Sequence, residues 1–142
     1  MNLFLYSTIV SLCWGLSPVL YKLLMNNVDI KVTFVINSLF FTLAVICYTI
    51  YYWNDIKSNL QTTSVWDICF LGLISVVLSF IPNIIYFNLL NQYDSYVVNA
   101  LVSTSPIFTV GMAYLILKER VTKYDILGVI LIITGVFFLS CK

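Results

Sequence analysis

VTFVINSLFFTLAVICYTIYYW, residues 32–53, decides the fold: it carries no charge from end to end and closes on Tyr51, Tyr52 and Trp53. About 20 apolar residues of helix span a bilayer core, and Tyr and Trp gather where such a helix meets the headgroups. Inside lipid no water is present to bond backbone groups, so a run of this kind must be helical. Before it come the polar turn Asn26–Lys31 and the run Leu3–Met25, whose one charge is Lys22. After it, NDIKSNLQTTS (54–64) is the longest polar stretch and reads as an extended loop. Trp66–Leu90 is a third run, interrupted by Pro82 and Asn83, and Asn91–Asp94 is a tight turn. Ser95–Leu117, with Pro106 inside it, is a fourth; charged Lys118–Lys123 leads to a shorter fifth, Tyr124–Cys141. The sequence predicts an all-α integral membrane protein of five transmembrane helices, about 3–25, 32–53, 66–90, 95–117 and 124–141, in one domain over 3–141.

Composition agrees. The 142 residues are 61% hydrophobic and 9% charged, against about half and about a quarter in soluble domains. A net charge of +1 offers no basic field, so nucleic acid is not an expected partner. Zero histidines remove Ser-His-Asp and Cys-His catalysis and imidazole relays. With no clustered carboxylates either, neither an enzyme, a metal nor a cofactor is expected. Cys13, Cys47, Cys69 and Cys141 all sit in apolar runs without a CxxC pair and read as small apolar residues.

Loop charges set orientation. Lys57, Lys118, Arg120 and Lys123 would share a side with the N-terminus; Lys22, Lys31 and Lys142 would lie opposite. Four against three favours a cytoplasmic N-terminus in a multi-pass protein of the cell membrane, by a margin compatible with both insertions.

Three polar stripes follow helical spacing: Ser7, Ser11, Gly15, Pro18 and Lys22 with Trp14 beside them; Ser75, Ser79, Asn83 and Tyr86; Tyr96, Asn99, Ser103 and Pro106. Such side chains commonly bond neighbouring helices or their own backbone, but three stripes that each meet or pass a proline also suit a shared polar cavity. The candidate path residues are Trp14, Pro18, Lys22, Asn83, Tyr86, Asn99, Ser103 and Pro106. Lys22 either snorkels to the interface or holds a positive charge at the cavity mouth. No carboxylate falls near the bilayer centre, which argues against proton coupling through a membrane acid. Gly128 and Gly135, on nearly one face of the last helix, are read as helix-packing positions, and Glu119–Arg120 as an ion pair at the interface.

The stretch NALVSTSPIFTVGMAYLILKERVTKYDILGVILIITGVFFLS, Asn99 to Ser140, resembles the end of an EamA unit of the drug/metabolite transporter superfamily. Ser105-Pro106, Gly111, Glu119-Arg120 and Gly128…Gly135 match that pattern, and Trp14-Gly15 with Lys22 is similar to the family's first helix. Tyr86 to Leu90 sits where the third helix often ends in aromatics. The second span departs from the pattern, with Asn37 and no Arg near the helix start. The resemblance implies a transporter of small metabolites, an exporter, with a cavity reached alternately from each side. Most members carry two units in inverted orientation. One unit would complete itself as an antiparallel homodimer, or as a heterodimer with a related half. Small multidrug members use a membrane Glu in the first helix; Trp14 and Gly15 stand in that region here, which turns the expectation toward a polar neutral or anionic metabolite. The competing expectation is a non-transporting membrane subunit packed against a larger partner.

Overall fold

Asp29 starts a helix because its carboxylate accepts the Lys31 N–H at 2.8 Å, meeting one of the donors a helix start leaves open. Ser64 does the same for Trp66 at 3.2 Å. In the computed structural model, which describes residues 2–140, the chain is a series of helices joined by short turns. The elements are α1 (Leu3–Met25), α2 (Ile30–Tyr51), α3 (Trp53–Thr62), α4 (Val65–Ser75), α5 (Ile81–Gln92), α6 (Ser95–Val102), α7 (Ser105–Met112) and α8 (Lys123–Ser140). Wide π turns at Val76–Phe80 and Ala113–Leu117 join α4 to α5 and extend α7. The expected end of the last span at Cys141, and Lys142, lie outside the described residues.

Among the described residues, four helices are long and apolar enough to cross a membrane: Leu3–Met25, Ile30–Tyr51, Val65–Gln92 and Ser95–Leu117. At most 6% of each is buried within the chain. Surfaces of this kind are covered by lipid or by another chain, not by water. The expected fifth span coincides in place with α8, which is not among the four.

Two expectations are corrected. The stretch 54–64 is not an extended loop, because Trp53–Thr62 is helical. The Tyr52 N–H donates to Tyr48 and the Ile56 N–H to Tyr52, so the helical ladder passes from α2 into α3. Ser58 Oγ and Asn59 Nδ2 also donate to the Asp55 carbonyl, and Trp53, Ile56 and Leu60 give the segment an apolar stripe. The second correction is at Pro82, where the helix is not interrupted: it runs unbroken from Val65 to Gln92.

The described residues fall into two compact units, one of the chain up to Leu20 with everything from Gln92, the other Tyr21–Asn91. Aromatic contacts centre the second. Phe87 packs on Tyr21 at 4.9 Å and on Phe34 at 5.6 Å between ring centroids, and Tyr21 Oη donates to Asn37 Oδ1 at 2.8 Å. Lys22 Nζ donates to the carbonyls of Leu90 (2.6 Å) and Asn91 (3.1 Å). A cation is thereby seated on the carbonyl end of α5, where the helix dipole favours it. The bond also places the ends of α1 and α5 together, as alternating crossings require. The first unit is built on α6 against α8, with Pro18, Val98, Ala100 and Val136 buried.

Candidate functional site

The first unit contains an open cleft of about 460 Å³, within the roughly 300–1,000 Å³ of small-molecule sites. Its polar wall is one face of α6: Ser95, Tyr96, Asn99 and Ser103. The other walls are Gly15, Pro18 and Val19 of α1, and Leu131, Ile132, Gly135, Val136 and Leu139 of α8.

Local chemistry explains the polar wall. Pro106 has no N–H to offer the Val102 carbonyl, so a helix cannot continue through it undisturbed. The ladder turns at Ser103 and Thr104: the Ser103 N–H bonds Asn99 and Ala100 carbonyls at 3.0 and 3.1 Å, and the Thr104 N–H bonds Leu101 at 3.2 Å. Ser103 Oγ donates to the Asn99 carbonyl at 2.8 Å and Thr104 Oγ1 to Leu101 at 2.7 Å. These back-bonds steady the break. Ser103 Oγ keeps its lone pairs for a further donor. Among the described residues no hydrogen bond is made by the Asn99 carboxamide, which lines the cleft with both a donor and an acceptor to offer. Opposite, Pro18 is fully buried inside α1 and withholds an N–H from the Trp14 carbonyl, while Ser17 Oγ donates to the Cys13 carbonyl at 2.7 Å.

Of the candidate path residues, Pro18, Asn99 and Ser103 meet in this cleft. Trp14, one residue from Gly15, is 74% exposed and is not a wall. Pro106 is half-buried just beyond the cleft; its part is to break the helix. Lys22, Asn83 and Tyr86 belong to the other unit. There the Lys22 ammonium sits on helix-end carbonyls, Asn83 is exposed, and the half-buried Tyr86 ring lies 6.4 Å from that of Phe87. Glu119 supplies its backbone N–H to the Ala113 carbonyl at 3.2 Å. Nearby, the Asp125 carboxylate accepts the Thr122 N–H and Oγ1, each at 2.7 Å.

Sequence reasoning left Ser95 and Gly15 out of its candidate path, and it gave Gly135 a packing role only. The Tyr96–Asn99–Ser103 spacing was the available signal for the polar wall, since Ser95 adjoins it. Among the described residues, added Cβ atoms at Gly128 and Gly135 would meet nothing within 4 Å. A second groove, of about 470 Å³, runs along one face of α2 and α3 past Tyr48, Tyr52, Asp55 and Asn59, and contains none of the candidates.

The comparisons with known proteins agree with a transport role. The model of the EamA-like transporter family matches residues 2–141. No curated protein and no solved structure matches the chain.

Proposed function

The chain belongs to the EamA-like transporter family, and from that premise we propose that it exports a small metabolite by alternating access. In this reading the unit crosses the membrane five times, with α8 as the fifth crossing, and the N-terminus is cytoplasmic. The observation that carries the proposal is the cleft that gathers Pro18, Asn99 and Ser103 beside a helix break at membrane depth. Irregular backbone in a membrane is tolerated where it faces protein or a water-filled path.

One unit supplies half of an inverted-repeat arrangement. Either an antiparallel second copy or a related half completes it, and in the homodimer the axis lies in the membrane plane. The apolar surface supports a partner, since no span is more than 6% buried within the chain.

The alternative is a non-transporting subunit of a larger assembly. It is favoured by the serines of the stripes, whose hydroxyls donate to their own helices: Ser7 to Phe4, Ser75 to Leu71 and Ser103 to Asn99. Efflux from proteoliposomes loaded with a labelled metabolite mixture separates the two. Export predicts time-dependent loss of label that Asn99→Leu abolishes; a tight vesicle with the wild-type chain would leave the subunit reading standing. Paired reporters fused after Lys142, one active only inside the cell and one only outside, test the arrangement. Signal from both supports antiparallel copies, and signal from one alone rejects them.

A further inference from the structure

The cleft is chemically one-sided. Among the described residues its hydrogen-bonding side chains come from α6 and the residue that caps it, at Ser95, Tyr96, Asn99 and Ser103, while the faces of α1 and α8 opposite are aliphatic. Among the described residues, no lysine, arginine, aspartate or glutamate is in its walls. An ion entering it would lose hydration without meeting a counter-charge, which is costly in a site of low dielectric. A neutral group that donates and accepts would find both functions in the Asn99 carboxamide.

Two glycines face each other in character: Gly15 on α1 and Gly135 on α8. A Cβ at either position would meet no atom within 4 Å, so packing within the chain does not require them. Glycine inside a helix is less favourable than alanine. What the two positions provide is space, because both border the void.

We propose that the cleft selects an uncharged solute with an apolar body and hydrogen-bonding groups along one edge, and that Gly15 and Gly135 set the width it admits. This rests on the cleft being the solute path. Asn99 and Ser103 hold the polar edge, and side chains added at the glycines occupy volume otherwise filled by the apolar body. The same glycines explain why size, rather than charge pairing, is the discriminating variable. One methylene in such a site shifts discrimination by about 10–200-fold.

The test uses the full chain in liposomes with Cys13, Cys47, Cys69 and Cys141 changed to Ala and Ser103→Cys introduced. The probes are methyl and benzyl methanethiosulfonate, both neutral, and the anionic sulfonatoethyl and cationic trimethylammonioethyl reagents. The neutral pair should modify the new thiol at least about tenfold faster than the charged pair, as an uncompensated site demands. Gly135→Leu or Gly15→Leu should slow the benzyl reagent by about tenfold while sparing the methyl reagent, and Gly128→Leu should change neither. Gly135→Ala, which helix propensity favours, should give a smaller shift in the same direction and guards against misfolding of the leucine variants. A chain that keeps only native Cys47 reports reagent partitioning into lipid; its benzyl-to-methyl ratio should not respond to the glycine variants. Equal rates for charged and neutral reagents, or glycine variants without effect on the benzyl rate, would overturn the proposal. Absent efflux with the labelling pattern intact would reject the transport reading while upholding the selectivity of the cleft.

Discussion

Pro82 and Pro106 both lie inside apolar helical runs, yet around Pro82 the helix continues from Val65 to Gln92, whereas before Pro106 it stops at Val102 and restarts at Ser105. Each proline withholds one N–H from the carbonyl four residues earlier. Ahead of Pro82 stand Val76–Phe80, mostly large and apolar, and the ladder widens so that the Ile81 N–H reaches Val76. Ahead of Pro106 stand Ser103, Thr104 and Ser105. Ser103 and Thr104 turn their hydroxyls back onto the Asn99 and Leu101 carbonyls, and such back-bonds bend a helix. The residues before a proline, more than the proline itself, decide whether a span bends or breaks. Only the broken span has its polar face in the cleft.

Pro106→Ala attacks this contrast most directly. It restores a donor for the Val102 carbonyl, and a proline inside a helix costs about 3 kcal/mol. The amides of residues 103–105 should then exchange with solvent about a hundredfold more slowly, and efflux should fall as Asn99 and Ser103 leave their places in the cleft. Exchange that stays fast would mean Ser103 and Thr104 maintain the break alone.

Lys22→Met comes next. It strips a cation from the Leu90 and Asn91 carbonyls at the end of the unbroken helix, and should lower stability in detergent by about 1–2 kcal/mol. Thermal unfolding reads this, with Lys22→Arg recovering part of the loss. An unchanged midpoint would show that water replaces the ammonium.

Pro82→Ala should matter less, because the π turn has already rerouted the ladder. The expected gain is about 1 kcal/mol or below, with efflux altered by less than about twofold. A large loss of efflux would instead make the π turn part of the working site. The smallest effect belongs to Lys118→Gly. Lys118 closes the second π turn in the left-handed region at φ 56°, which costs an L-residue about 1 kcal/mol. Glycine there should raise the unfolding free energy by up to that amount, measured by the same thermal scans.

Four of the five expected spans were legible because lipid imposes a length and disfavours charge, and the uncharged run 32–53 carries both signals plainly. The helical character of Trp53–Thr62 was not, since its polar composition outweighed the short Trp53–Ile56–Leu60 stripe that marks it. The partner of Lys22 escaped notice for another reason: its acceptors are backbone carbonyls, which no side-chain pattern records. In the cleft, the Tyr96–Asn99–Ser103 spacing already marked the polar wall. Gly128 and Gly135 are alike as letters seven positions apart, and only the placement of α8 separates the one beside the void from the one away from it.

The unbroken helix at Pro82 has a mechanical consequence. Its 28 residues measure about 42 Å at 1.5 Å each, against a hydrocarbon core of about 30 Å. The 22 residues of α2 come to about 33 Å. The same chain therefore carries crossing helices cut to two lengths, and the longer has more excess to absorb by tilting or protruding. Mismatch costs fractions of a kcal/mol per Å, so membrane thickness acts on this protein as a continuous load, and thinner bilayers press hardest on the helix that holds Asn83 and Tyr86.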